Sequence, residues 1–260
     1  MTNQHELTAT YLGGPTILLE WEGLRLLTDP TFDPAGQSYE LGAYTLRKTM
    51  GPARTIESIG KVDVVLLSHD HHRDNLDDAG RQMLPMAGTV VTTPSGASRL
   101  GSGAVGLEPW ETMDIPGPSG GVMRVTGTPA RHGPAGGDRG PVTGFVLSIA
   151  GGQRNAVYIS GDTVWYDGVA EIGQRFPIGV AVLFMGAARV REVGPSNLTF
   201  TAAEAVEAAR ALEAATIVPV HFEGWAHFSE SREDIASAFE QAKLSQRLRW
   251  LRAGQPTRIA

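Results

Sequence analysis

The sequence predicts an α/β fold, and three observations predict it. Short apolar runs rich in β-branched residues, such as Val62-Asp63-Val64-Val65-Leu66-Leu67 and Val180-Ala181-Val182-Leu183-Phe184-Met185, read as strands buried on both faces. Between the later strands stand stretches that open with helix-capping patterns, Thr201-Ala202-Ala203-Glu204 and Ser231-Arg232-Glu233-Asp234. The 32 glycines and 16 prolines fall between apolar runs rather than in one tract, so they mark turns and not disorder. A chain of 260 residues fits one large α/β domain or two small ones, and 42% hydrophobic residues suffice for a sizeable core.

In chain order, Thr8-Ala9-Thr10-Tyr11-Leu12 and Thr16-Ile17-Leu18-Leu19-Glu20-Trp21 read as strands split by a Gly13-Gly14-Pro15 turn. Glu22-Gly23 turns tightly into a strand Leu24-Arg25-Leu26-Leu27-Thr28, which Asp29-Pro30 ends; Asp29 is also placed to orient a neighbouring ligand. Residues 31–60 carry no clear period, and an unstructured connection of that length reads as a flap over a site, bearing Phe32, Tyr39, Tyr44, Leu46 and Met50. After the strand at 62–67 come a short helix at 77–86, a strand at 89–93, and a short helix opened by Pro94 with Ser95 as N-cap. Strands follow at 110–115, 122–130, 144–149 and 156–160, with residues 116–121 as a hairpin loop. A helix at 166–175, the strand at 180–185, a loop at 186–198, a helix from Thr201 to about Ala214 and a strand Thr216-Ile217-Val218-Pro219-Val220 complete the alternation. A last amphipathic helix runs from Ser231 to about Leu244, and residues 247–251 read as a terminal strand.

Composition excludes several chemistries. There is no cysteine, which removes disulfides, thiolate metal sites and a cysteine nucleophile; any metal must be held by His, Asp or Glu. A net charge of −6 argues against a nucleic-acid partner. No stretch approaches the roughly 18 apolar residues of a membrane span, and Met1-Thr2-Asn3-Gln4-His5-Glu6 lacks the basic start and apolar core of a signal peptide. The expectation is a cytoplasmic protein acting on a small molecule; a homo-oligomer is compatible with this composition.

The most informative stretch is Ser68-His69-Asp70-His71-His72-Arg73-Asp74-Asn75-Leu76-Asp77, which begins where a core strand ends. It packs three imidazoles and three carboxylates into nine residues. Capping of the next helix accounts for Asp and Asn there, but not for histidine. Neutral His and ionised Asp are the donors for zinc, manganese or iron(II). Of the seven histidines, five (His69, His71, His72, His132 and His221) lie directly after predicted strands. Asp162, presented by Gly161 at the end of another strand, joins them. That shared placement is the argument for one metal site.

Several features together resemble the metallo-β-lactamase-fold hydrolases. They are the early strands closing on Thr28-Asp29-Pro30, the His-rich turn after Leu66-Leu67-Ser68, His132 after a strand, Gly161-Asp162-Thr163, and Val218-Pro219-Val220-His221, all in the family's order. Thr201-Ala202-Ala203-Glu204-Ala205 followed by Thr216-Ile217-Val218-Pro219-Val220-His221 is similar to the branch containing ascorbate-6-phosphate lactonases. The resemblance implies a four-layer αββα sandwich forming a single domain over residues 1–260, with metals at one rim. It implies one or two divalent ions among His69, His71, His72, Asp74, His132, Asp162 and His221.

The turn departs from the family's His-x-His-x-Asp-His. Read from the front, His69 and His71 are the paired ligands and one residue is inserted before Asp74; read from the back, His72 is the ligand and His69 is displaced. In both registers Asn75 stands where the family has its final histidine. One position then keeps His69, His71 or His72, and His132, while the other has Asp74, His221 and a shared Asp162. Oxygen-rich donors shift the second position towards manganese or iron, or leave it weakly filled. The chemistry implied is hydrolysis by a metal-bound hydroxide, with Asp74 orienting the water and His72 or His227 protonating the leaving group. Arg189 and Arg191 are candidates for binding an anionic substrate, against a solvated loop. A small ester, lactone or amide is the expected substrate. A phosphodiesterase or nuclease of the same fold and a non-catalytic metal-binding protein are the alternatives.

Overall fold

The computed structural model describes residues 6–118, 120–136, 139–151 and 155–260. The N-terminal reading therefore lies mostly outside the described residues, as does Ser119 of the hairpin loop. The strands are β1 (Thr8–Gly13), β2 (Thr16–Trp21), β3 (Leu24–Thr28), β4 (Ser38–Glu40), β5 (Thr45–Arg47), β6 (Val64–Leu66), β7 (Thr89–Thr92), β8 (Ala104–Gly106), β9 (Thr112–Pro116), β10 (Val122–Pro129), β11 (Thr143–Ile149), β12 (Ala156–Ile159), β13 (Ile178–Phe184), β14 (Thr216–Val220) and β15 (Thr257–Arg258). The helices are α1 (Ile56–Ile59), α2 (Asp78–Met83), α3 (Pro94–Leu100), α4 (Asp167–Arg175), α5 (Ala202–Ala211) and α6 (Arg232–Gln241).

Two sheets carry the fold, in the orders β15-β1-β2-β3-β6-β7-β8 and β14-β13-β12-β11-β10-β9. Their facing sides follow from the two-residue period of a strand. In β2, Ile17, Leu19 and Trp21 enter the core between the sheets, while Leu18 joins the opposite cluster with Leu27, Val65 and Leu67. In β13, Val180, Val182 and Phe184 face the other sheet, and Ala181 and Leu183 face α4 and α5 through Val169, Ile172, Ala205 and Ala209. Both of its faces are buried, which is why the strand reads as an unbroken apolar run. On the far side of the first sheet, Ile59 of α1 and Met83 of α2 pack on Leu27 and Val65. The result is the αββα sandwich. Pro219, which has no N–H to give to a ladder, sits in β14 at a sheet edge.

Four local expectations need correction. Residues 31–60 are not without structure: they hold the β4–β5 hairpin and α1. β8 was not predicted; its three residues, Ala104-Val105-Gly106, are too few to show a period. The N-cap of α3 is Thr93, whose side chain accepts from Gly96 N, because Pro94 takes the first helical position and moves the cap one residue upstream of Ser95. Residues 247–251 touch β14 through a single Ile217–Leu248 bridge, and the terminal strand is instead β15, antiparallel to β1. Among the described residues, no helix is long and apolar enough to cross a membrane.

The loop after β3 is clamped to α2. Asp77 caps that helix by accepting from Gly80 N, and it also accepts from Phe32 N and Asp33 N. A Cβ on Gly80 would lie 1.8 Å from the carbonyl oxygen of Pro30. Helix propensity alone makes Gly80→Ala stabilising by about 1 kcal/mol. The backbone contact reverses the sign, so we expect a net loss of about 1–3 kcal/mol in urea unfolding. Unchanged or raised stability would show that α2 does not hold Pro30 as described.

Candidate metal centre

Five strands of the two sheets end on one rim, and each delivers a polar side chain within three residues of its end. β3 delivers Asp29, β6 delivers Ser68 and His69, β10 His132, β12 Asp162 and β14 His221. All six are buried. Gly161 has a positive φ of 57°, and a Cβ there would meet Thr143 O at 2.6 Å, so only glycine turns the chain to present Asp162. Asp29 and His221 themselves have positive φ values of 28° and 55°, a conformation rare outside glycine and common where a site fixes its backbone.

The turn after β6 is held from outside. Arg99 makes a two-pronged ion pair with Asp70, at 2.9 and 2.5 Å, and Arg81 donates to the Asp70 carbonyl. Asp70 thus faces α3 and not the cluster. Ser68 N and Ser68 Oγ both donate to Asp29 Oδ1, at 3.0 and 2.6 Å. With its proton committed, Ser68 Oγ accepts from His69 Nδ1 at 2.9 Å. The His69 proton therefore sits on Nδ1, and the Nε2 lone pair faces inward. His132 reaches the same state by donating from Nδ1 to Leu198 O at 2.7 Å.

These constraints make three ring nitrogens converge. His72 Nδ1 lies 2.9 Å from His69 Nε2 and 3.1 Å from His132 Nε2. At least two of the three present bare lone pairs, which repel unless a cation or a proton lies among them. Burial, reinforced by the neighbouring imidazoles, holds His69 well below its ordinary pKa and takes His72 down to about 3. Both are neutral donors at physiological pH.

A second group adjoins the first. His221 Nε2 is 3.4 Å from Asp162 Oδ1 and 3.6 Å from Asp74 Oδ2, and Asp162 Oδ2 is 3.7 Å from His132 Nε2. Asp162 accordingly stands between the groups: donor atoms of His69, His132 and Asp162 lie within 4.8 Å of one another, as do those of Asp74, Asp162 and His221. Neither Asp162 oxygen nor either His221 nitrogen has a hydrogen-bond partner. Burial works against ionising Asp74 and Asp162, yet His221, joined at Asp74 by a hydrogen bond from His227, holds both below the usual carboxylate range, and burial likewise works against the charge on His221, which Asp162 and Asp74 raise to about 10. Inward lone pairs beside unpartnered buried carboxylate oxygens are a donor set that fits divalent cations.

Of the residues singled out in the sequence, His69, His72, Asp74, His132, Asp162 and His221 are brought together. His71 is set to the side. One nitrogen of its ring lies within 4.8 Å of donors on His69 and His72, but Nε2 contacts Arg139 O at 3.0 Å and the side chain is 27% exposed. The extra residue in the turn is absorbed there: His72 stands among the donors, as in the back register, but His69 stands there too and is not displaced. Asn75 is buried, with Nδ2 3.5 Å from Ser68 Oγ and Oδ1 unpartnered. Arg189 spends its guanidinium on Asn197 in its own exposed loop, and Arg191 is exposed.

Three features were not legible. Lys48 forms a buried ion pair with Asp77 at 2.7 Å, fastening the β4–β5 hairpin to α2. Arg139 lines the cleft over the donors. His227, weighed above only as a proton donor, has a side chain 9% exposed and Nε2 3.0 Å from Asp74 Oδ2. Its spacing of six residues from His221, among Trp225 and Phe228, was the available signal.

The linkage signs give an expected pH profile for chelator-treated protein. His69 and His72 lie below their unfolded value near 6.5, so their contribution is present above that pH and is lost as pH falls. His221 lies above its unfolded value, so its contribution is full below about 6.5 and is lost as pH rises towards 10. Thermal unfolding between about pH 4.5 and 9.5 should show a maximum near 6.5 with the steeper fall on the acid side. A midpoint that climbs steadily across this range would contradict the protonation states assigned here.

Comparison with known proteins gives the family and the fold. The family described as beta-lactamase superfamily domain matches residues 24–222. A UPF0173 metal-dependent hydrolase of Desulforamulus reducens is 28% identical over 91% of this chain and 93% of its own length. Another, from Methanoregula boonei, is 31% identical over 69% of this chain and 75% of its own. Among solved structures, an isothiocyanate hydrolase from Delia radicum gut bacteria superposes with a TM-score of 0.82 at 22% identity, covering 97% of this chain and 99% of that one.

Proposed function

The chain belongs to the beta-lactamase superfamily and is a metal-dependent hydrolase, and on that premise we propose that it hydrolyses a small electrophilic substrate at a centre with two ion positions. The observation that carries this reading is the convergence of His69, His72 and His132 at 2.9 and 3.1 Å beside an Asp162 whose two oxygens are buried without a partner. His69, His72 and His132 would hold the first ion, Asp74 and His221 the second, with Asp162 reaching both. Zinc, manganese or iron(II) suits these donors. When bound, the ions supply the Lewis acidity that lets a water ionise near neutral pH and that polarises the electrophile.

The chain's own groups supply the rest. Asp74, ionised and facing the cleft, is placed to accept a hydrogen bond from the attacking water and so orient it. His72 acts as a neutral ligand, not as an acid: its Nδ1 is turned into the cluster and burial keeps it unprotonated. Over the donors lies a narrow cleft with apolar walls from Tyr44, Leu46, Val190, Val193 and Leu198. Tyr44 and Leu46 belong to the β4–β5 region, which supports reading residues 31–60 as a cover over the rim. Such walls suit an ester, lactone or amide with an apolar body. A fold neighbour named as an isothiocyanate hydrolase, acting on another small electrophilic carbon, is consistent with that class. Arg139 is the one arginine or lysine among the described lining residues, which disfavours a phosphodiester chain as substrate. A single-domain, cytoplasmic enzyme completes the proposal.

Protein purified without chelator should contain about one to two equivalents of zinc, manganese or iron and should cleave some member of an ester, lactone, amide and isothiocyanate panel. His72→Ala should lose the tighter ion, whereas His71→Ala should retain it. Absence of metal with no gain on reconstitution would sink the proposal; loss of metal from His71→Ala and not from His72→Ala would restore the front register.

A further inference from the structure

The two carboxylates of the second group are presented differently. Asp162 stands three residues beyond β12, directly behind Gly161, whose left-handed backbone fixes its direction. Asp74 stands eight residues beyond β6, in a turn that also absorbs an extra residue. A carboxylate so far from a strand end has more ways to turn, and a ligand or water-orienting group that turns freely loses affinity and precision. Two imidazoles from outside the turn approach its Oδ2: His227 Nε2 at 3.0 Å and His221 Nε2 at 3.6 Å. The nearer contact is a hydrogen bond, and an ionised carboxylate only accepts, so the proton lies on His227 Nε2. A carboxylate oxygen has two lone pairs, so Oδ2 can accept from His227 and still offer an electron pair to an ion beside His221. We infer that His227 is a positioning residue: its Nε2–H holds the Asp74 carboxylate in the direction that serves the second ion position and the attacking water.

The loop after β14 is built to hold that ring. Ala226 N donates to Arg47 O, Arg189 N donates to His227 O, and Ser229 N donates to Gly186 O, so the backbone is pinned before, at and after the histidine. The ring packs against Phe228 with centroids 4.8 Å apart, and its Nδ1 is buried without a partner. Nε2 is therefore the atom through which His227 acts. The inference rests on the metal centre proposed above and adds no ligand to it. With its proton committed to Asp74, His227 is not the acid for a leaving group.

The test uses the full chain, with zinc chloride as the ion. Equilibrium dialysis of chelator-treated protein follows the two zinc affinities. Long-range proton–nitrogen correlation NMR of zinc-loaded protein with isotope-labelled histidine shows which nitrogen of each imidazole carries a proton and which is bound to zinc. The His227 ring, assigned by its loss in the variants, should keep its proton on Nε2, with neither nitrogen on zinc. His227→Phe keeps a ring against Phe228 and loses the donor; it should leave the tighter zinc in place and weaken the second by roughly tenfold. His227→Gln places an amide N–H at about the reach of Nε2 and should recover most of that loss. A proton on Nδ1 or zinc on either nitrogen overturns the inference. So does an unchanged second affinity in His227→Phe, or equal weakening in both variants, which would mark a purely structural role. In each of these cases a wild type that binds two zinc ions leaves the metal centre standing. A wild type that binds fewer than two overturns the two-ion centre and this role together.

Discussion

Two buried carboxylates that share one imidazole, His221, are the constraint on which the rest depends. Asp74 and Asp162 are both withdrawn from water, and each faces His221. Burying an ion costs several kcal/mol even after relaxation, and a pair of like charges adds to that. Only positive charge between them offsets the cost. In the protein without ions a proton on His221 supplies it, which is why that imidazole is raised to about 10 against the pull of burial. A divalent cation held by these residues would supply it in place of that proton, and its uptake would release the proton.

The first donor group solves the opposite problem. His69, His72 and His132 carry no charge of their own, and their nitrogens are crowded by bonds made on the far sides of the rings. Asp29 fixes Ser68, Ser68 fixes the His69 proton, and the Leu198 carbonyl fixes that of His132. Burial pushes the Asp29 carboxyl well above its ordinary range, and the two donations from Ser68 only partly offset this. The rim therefore places a group short of cations next to a group of lone pairs, with Asp162 common to both.

The sandwich was legible because its strands are short, apolar and bounded by glycine and proline, and because both faces of strands such as β13 are buried. The rim residues were legible for a related reason. His69, His132, Asp162 and His221 each follow a strand closely, so the sequence position encodes the place in space. What was not legible depends on contacts between distant segments. Nothing near Lys48 in sequence reveals Asp77, and nothing near Arg139 reveals the cleft. The choice between His71 and His72 was hidden for a different reason. An inserted residue shifts a turn, and only the bonds of the turn's neighbours, Arg99 to Asp70 and Arg139 O to His71, show on which side the extra residue is taken up.

That insertion also explains why function at the second position has to be argued from the whole rim. The turn after β6 must pass His69, His72 and Asp74 inward while carrying Asp70 outward to Arg99 and His71 sideways to Arg139. Within it, Asn75 N and Leu76 N close back on His72 O at 3.3 and 3.0 Å, and Asp77 is already committed to capping α2 and binding Lys48. Each carboxylate and imidazole of the stretch then has a fixed partner or direction. The segment after β14 packs directly against the β4–β5 hairpin and, through His227, against Asp74. The same segment that walls the substrate cleft through His227 is thereby tied, through Lys48 and Trp225, to the hairpin that supplies Tyr44 and Leu46. Movement of that hairpin and the placement of His227 against Asp74 are mechanically coupled, because the backbone bonds that hold one also hold the other.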